Sequence, residues 1–362
     1  MKEFFKRYHS NTTAGSSNQT FFESDGKEHT ARVYYRIFEG GSDRFSLLFS
    51  NTTDSTFADG GYSVCNMQSS FEILSVRAGL TDTAAMDAAT EPSAFQSLTF
   101  DGCAGNLIDA AEIATDPFTL AARTGEYLCV ETVFRGGRVP CHREIKIPTF
   151  LQKDGKWNPT PDIPVPMMLG CDRPVTASVG FLGDSITQGI GATPNAYRHY
   201  VAVAAERLPR GCAFWNLGIG YARATDAASD GAWLYKVKQN DLVTVCLGVN
   251  DILQGRTAEE IKAAHRTILE RLLSAGVRVV LQSVPPFDYS PEKTEIWNEV
   301  NEYMERELAP KAHGYFDTRK ILSDPAVPQR AIFGGHPNDE GCRLWGEALA
   351  EYLKTLDFLA DW

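Results

Sequence analysis

Apolar and polar positions change rhythm near residue 150 of this chain. Before it, β-branched and aromatic residues come in short runs at 33–38, 45–49, 71–76, 98–100, 127–134 and 144–147. Turn formers separate them, among them Gly40-Gly41, Asp101-Gly102, Thr124-Gly125 and Gly136-Gly137. Such runs read as strands, because branched and aromatic side chains suit a pleated, half-buried surface. Their number predicts an all-β sandwich or jelly-roll domain over 1–150. Residues 82–94 read as a long loop, and residues 10–19, dense in Ser, Thr and Asn, as an irregular arm. Six prolines, at 148, 159, 161, 164, 166 and 174, predict an extended surface linker over 151–176, because proline lacks an amide donor.

From residue 177 onward strands and helices alternate. Short apolar stretches at 178–182, 213–217, 241–247, 277–284 and 314–317 predict five strands. Helix-spaced apolar residues at 197–208, 258–274, 292–308 and 340–356 predict helices between and after them, with Gly276 stopping the second. This alternation implies a parallel sheet wrapped on both faces, an α/β domain over 177–362. In such sheets reactive groups gather beyond the carboxyl ends of the strands.

Composition narrows the partners. The chain is 43% hydrophobic and 22% charged, which excludes a mainly disordered protein. A net charge of −11 with no basic cluster argues against nucleic acid and anionic membranes as partners. No apolar run approaches the roughly 18–20 residues that span a bilayer. The charged start, residues 1–9, does not look like a secretory signal, so a cytoplasmic location is expected. The eight cysteines form no CxxC pair and no zinc-spaced set, and are expected to be buried free thiols; Cys141-His142 is a weak metal signal. No metal or cofactor is expected. Gly189-Ile190-Gly191 resembles the start of a dinucleotide turn, but Pro194 stands where its third glycine belongs. A homo-oligomer remains open.

The strand-end loops carry the chemistry. After the first strand comes Gly183-Asp184-Ser185-Ile186-Thr187-Gln188-Gly189, a tight turn that holds a serine hydroxyl off the sheet. After the second comes Asn216-Leu217-Gly218-Ile219-Gly220-Tyr221, and after the third Gly248-Val249-Asn250-Asp251. Backbone amides of the first two loops and the Asn250 side chain make a donor set for a developing oxyanion. Past the fifth strand, Gly334-Gly335-His336-Pro337-Asn338 brings an imidazole to the same edge. Ser185 and His336 are the candidate nucleophile and base. Asp184 reads as a structural cap, His199 and His265 as helix-face residues, and Trp215, Trp233 and Trp297 as core; Trp233 or Tyr221 is an alternative sugar-stacking ring.

Taken in order, these blocks resemble the SGNH (GDSL-type) hydrolase family over about residues 177–356. The resemblance implies a flavodoxin-like α/β/α domain, with Ser185 as nucleophile and His336 as base. It also implies an oxyanion hole of the Ser185 amide, a strand-two glycine amide and Asn250. The family glycine falls at Tyr221, so the neighbouring Gly220 is the preferred donor. The family aspartate falls at Phe333, which implies a Ser–His dyad; the alternatives are Asp317 as a substitute carboxylate and an impaired enzyme. The 98–102 and 115–117 segments also resemble the β-domain that precedes SGNH domains in some carbohydrate acetylesterases. Hydrolysis of small acyl esters, acetyl groups on carbohydrates foremost, is the expected activity, with a small-molecule or oligosaccharide ester as substrate. The alternatives are a lysophospholipase or thioesterase, or an impaired glycan-binding protein.

Overall fold

A computed structural model describes residues 2–54, 70–110 and 112–356. The chain divides into two compact units, Met1–Val175 and Thr176–Trp362. The first opens with a short helix α1 (Lys2–Arg7) and continues with β1 (His9–Ser10), β2 (Thr20–Glu23), β3 (Glu28–Arg36), β4 (Gly41–Ser50), β5 (Phe71–Thr81), β6 (Gln96–Leu98) and β7 (Asn106–Ile108). There follow β8 (Glu112–Ala114), β9 (Phe118–Ala122), β10 (Tyr127–Arg135), β11 (Arg138–Cys141), β12 (Thr149–Lys153), β13 (Lys156–Pro159) and β14 (Met168–Asp172). These strands form antiparallel sheets ordered β1-β14-β4-β8, with β9 also on β4, and β13-β12-β3-β10-β5-β6, with β7 also on β5; β2 pairs with β11. Strand β10 lies between β3 and β5 and is buried along most of its length. Its inward Glu131 is neutralised by Arg32 (2.7 Å) and Arg77 (2.6 Å), as a buried carboxylate requires.

Two expectations for this unit change. Residues 151–176 are not a surface linker: β12, β13 and β14 pair into the two sheets. Their prolines flank strands or, like Pro159, end the edge strand β13, where a missing amide disturbs no ladder. Residues 144–147 form no strand; Glu144 has a positive φ of 53°, which breaks the extended run, although Ile145 and Ile147 are buried. The 10–19 arm is irregular after β1, as expected; it is buried, and several of its polar groups are met internally: Asn11 bonds both the amide and the carbonyl of Glu39. Loop 82–94 has no regular structure.

The second unit holds β15 (Ala177–Gly183), α2 (Ser185–Gln188), α3 (Tyr200–Arg207), β16 (Cys212–Gly218), α4 (Ala224–Ala227), α5 (Ala232–Val237), β17 (Leu242–Cys246), α6 (Val249–Leu253) and α7 (Ala258–Ser274). It ends with β18 (Arg278–Gln282), α8 (Pro291–Tyr303), β19 (Gly314–Phe316), α9 (Arg319–Leu322) and α10 (Asp339–Lys354). All pairings are parallel, in the order β16-β15-β17-β18-β19. Numbered within the unit this is 2-1-3-4-5, the flavodoxin-like order, whose switch point lies beside the first strand. Strands β15, β16 and β17 are buried at every position, as expected of a sheet covered on both faces. Trp215, Trp233, Trp297 and Trp345 fill the packing around them. Six cysteines are buried free thiols, Cys103 is free but exposed, and Cys65 lies outside the described residues. Among the described residues no helix is long and apolar enough to cross a membrane.

Candidate active site

The switch point fixes the first loop. Asp184 caps α2, its carboxylate accepting from the Ile186 amide at 3.0 Å, and Ser185 is the first helical residue. The turn is clamped from below by Asn216, which donates to the Thr187 carbonyl and accepts from the Gly218 amide, both at 2.9 Å. Only glycine fits at 218, because a Cβ there would lie 2.2 Å from the Gln188 nitrogen.

His336 arrives from the far end of the chain. It lies on the turn before α10, whose cap Asn338 accepts from the Gly341 amide at 3.0 Å. Asp339 ties this turn to the first loop by accepting from the Thr193 amide (2.7 Å) and hydroxyl (2.8 Å) and from Arg198 (3.1 Å). Gly191 lets the two segments close: a Cβ there would meet the His336 carbonyl oxygen at 2.6 Å. The result is a Ser185 Oγ to His336 Nε2 distance of 2.7 Å across 151 residues of sequence. The imidazole is packed edge-on against Phe287, ring centroids 5.4 Å apart at 80°. Phe287 was not legible as a site residue; the only signal was its place just after β18.

The side-chain amide sits on the third loop. Asn250 Nδ2 donates to the Ala222 carbonyl at 3.0 Å, which orients the amide and leaves its second N–H without another partner among the described residues. Gly220 lies in the turn closed by the Ala222 amide on the Ile219 carbonyl (3.2 Å), and Tyr221 in that turn has φ 61°. The second and third loops are locked together. Asp251 accepts from the Ala224 amide (2.8 Å) and from the Thr225 amide (3.2 Å) and hydroxyl (3.0 Å), while Arg223 reaches Gln254 at 2.8 Å. Neither Asp251 nor Arg223 stood out in the sequence as a positioning group.

Electrostatics separate the carboxylates. Burial pushes Asp184 up to about 7, helped by the charge of Asp251 and opposed by the Ile186 amide. Burial likewise raises Asp251 to about 6 against its hydrogen bonds from Ala224 and Thr225. Asp317 behaves differently. Burial disfavours its charge, yet Arg319, which gives it bonds of 2.6 and 3.0 Å, holds it below the ordinary carboxylate range. Phe333, at the family's aspartate position, lies against Gly341 of α10. His199 and His265 are both buried rather than at a helix surface, and burial lowers His265 to about 4. Trp233 is 1% exposed with its indole N–H on the Leu217 carbonyl, so it cannot stack on a ligand, whereas Tyr221 is 39% exposed. Among the described residues no three His, Cys, Asp or Glu side chains gather as a metal site.

A 2-1-3-4-5 parallel sheet with a hydroxyl, an imidazole and an oriented amide at its carboxyl edge defines a class, the flavodoxin-like α/β/α hydrolase domain. Residues 181–344 match the GDSL-like lipase/acylhydrolase family. That match falls within the second unit, which so carries the signature of the GDSL-like carboxylic ester hydrolases. No curated protein matches the chain. Solved structures similar to it include a lipolytic protein of the G-D-S-L family from Veillonella parvula, 21% identical, covering 49% of this chain and 99% of that one with a TM-score of 0.40. A carbohydrate acetylesterase family member from Sinorhizobium meliloti is 18% identical, covering 51% and 100%, with a TM-score of 0.40. A carbohydrate esterase family 3 protein from Talaromyces cellulolyticus is 20% identical, covering 52% and 100%, with a TM-score of 0.36.

Proposed function

We propose that the protein removes small acyl groups, acetyl foremost, from carbohydrate hydroxyls, through an acyl-enzyme at Ser185. The observation that carries the reading is the 2.7 Å approach of Ser185 Oγ to His336 Nε2, because a serine hydroxyl becomes a useful nucleophile only beside a base. In this mechanism His336 accepts the Ser185 proton as the oxygen attacks the ester carbonyl. The oxyanion takes hydrogen bonds from the Ser185 amide, the amide at Gly220 and the second Nδ2–H of Asn250. Collapse of the tetrahedral species breaks the bond to the alcohol, which leaves with the proton from His336. Water, giving a proton to His336, then cleaves the acyl–Ser185 ester.

The pair works as a dyad in this reading. Position 333 carries no carboxylate, and Asp317 is engaged by Arg319. The acetyl-carbohydrate part rests on the resemblance of the strand-rich first unit to the β-domain ahead of some SGNH acetylesterases.

Rates on an acetyl aryl ester and on acetylated oligosaccharides test the reading, with Ser185→Ala as reference. Wild type is expected to exceed the variant by at least about 10³-fold. Equal background rates sink the esterase, and faster turnover of octanoyl than acetyl esters sinks the acetyl assignment.

A further inference from the structure

We infer that Tyr200 is a positioning residue for this site: stacked on Trp345 and bonded to Thr187, it is the strut that holds the nucleophile's turn against the helix that follows His336. The inference rests on the esterase reading above. Neither reacting group is fixed by its own segment. Helix α2 (Ser185–Gln188) is a single turn, too short to be stable by itself. His336 stands outside α10, so its place depends on where that helix lies. Tyr200, the first residue of α3, reaches both. Its phenol oxygen lies 2.8 Å from Thr187 Oγ1, two residues beyond Ser185. Its ring lies face to face with Trp345 of α10, centroids 3.9 Å apart and planes 5° from parallel. The Trp345 indole N–H then donates to Gln282 Oε1 on β18 at 2.9 Å.

One chain of contacts therefore runs from the nucleophile's turn through α3 to α10 and into the sheet, and Thr187, Tyr200, Trp345 and Gln282 are all fully buried. Core packing alone does not ask for this. Phenylalanine at 200 would fill the same space without taking a hydroxyl out of water, which costs free energy unless a partner meets it. What the polar ends add is register. Aromatic pairs commonly keep their centroids about 4.5–7 Å apart, and this pair is closer and nearly parallel. Sliding one ring over the other would draw Tyr200 from Thr187 or Trp345 from Gln282. Gly346 keeps α3 and α10 at that spacing, since a Cβ there would lie 2.7 Å from the Tyr200 carbonyl oxygen. Burial also holds the phenol's pKa well above its ordinary value, so ionisation does not break the link. The Asp339 clasp joins the two segments near the surface, and the Tyr200 strut joins them in the core. The 2.7 Å contact between Ser185 and His336 is what depends on both.

The test measures kcat and KM on an acetyl aryl ester for wild type, Tyr200→Phe, Thr187→Val, their double variant and Thr187→Ser. Tyr200→Phe and Thr187→Val should each lower kcat about tenfold with KM within about twofold, because a small misplacement of the reacting pair weighs on the chemical step. The double variant should lose no more than the larger single loss, since both substitutions remove one bond. Thr187→Ser keeps the hydroxyl and should stay within about threefold of wild type. Crystal structures should show Ser185 Oγ and His336 Nε2 about 0.5 Å or more further apart in Tyr200→Phe than in wild type. An unchanged kcat, single losses that multiply in the double variant, or Thr187→Ser turning over as slowly as Thr187→Val would make the pair ordinary core and overturn the inference. Should Tyr200→Phe fail to fold, the Thr187 variants carry the comparison, in turnover and in structure. A wild type that cleaves no ester brings down the esterase reading. A Ser185–His336 separation that still responds to the lost bond then leaves the strut standing, and one that does not overturns it as well.

Discussion

Asp317 offers a sharp test of how the imidazole is held. Its carboxylate takes bonds from the Arg319 guanidinium and from the Arg319 amide (3.2 Å), so service to His336 would mean giving these up. Asp317→Asn should therefore leave kcat/KM on an acetyl ester within about threefold of wild type, where loss of a triad aspartate costs up to about 10⁴. The same variant should lose about 1–3 kcal/mol in urea unfolding, since a neutral amide cannot accept both Arg319 bonds and leaves only Glu305 to balance that charge. Asn250→Ala should weigh more on turnover, lowering kcat by about 10²–10³ through loss of one oxyanion donor, beside a stability loss of about 1 kcal/mol for the lost bond to the Ala222 carbonyl. Ser185, Asn250 and His336 were visible in the sequence because each stands in a short block whose neighbours make chemical sense. Phe287 and Asp339 were not, because their roles exist only through contacts with distant residues, His336 for one and Thr193 and Arg198 for the other.

Elements were legible in proportion to their length. Helix α7 carries a capping box of Thr257 and Glu260, two turns or more of periodic apolar residues and a glycine stop, and its predicted span is the observed one. Helices α2, α4, α5, α6 and α9 have four to six residues each, too few to show a period, and they are fixed instead by the loops they join. Helix α8 gives way to a π-turn over Met304–Leu308, a change of pitch that the run of apolar positions did not register. The proline-rich stretch misled for a similar reason: proline marks where a strand ends, and its density hid the strands between. The lock between the second and third loops acts at this scale. Asp251→Asn would turn an N–H₂ toward either the Ala224 or the Thr225 donors, which bond different oxygens of the carboxylate, so we expect kcat to fall about tenfold with a stability loss of about 1–3 kcal/mol. Thr225→Ala, which removes one of the three bonds, should fall between it and wild type when both are assayed with an acetyl ester.

Across the whole molecule the buried titratable groups set a pH window for stability. His142 in the first unit and His265 in the second are fully buried, and burial lowers each to about 4. An imidazole whose pKa is lowered by folding takes up a proton more readily when unfolded, so stability is lost as pH falls from about 6.5 toward 4. Asp184 and Asp251 work in the reverse sense. Burial raises them to about 7 and about 6, so the folded chain holds those protons more tightly. Their contribution is complete below about 4, the unfolded carboxylate value, and is lost as pH rises through 6 and 7. The second unit therefore has both an acid and an alkaline slope, while His142 gives the first unit an acid slope. Tryptophan emission reads mainly the second unit, since 215, 233, 297 and 345 lie there and only Trp157 lies in the described first unit. Urea unfolding followed by that emission should show a lower midpoint at pH 8.5 than at pH 6 in wild type. Asp184→Asn keeps an oxygen for the Ile186 amide but cannot ionise, so its midpoint should decline far less over that interval while its acid-side fall is unchanged. An equally steep alkaline decline in the variant would mean that the charge buried beneath Ser185 is not what limits the fold.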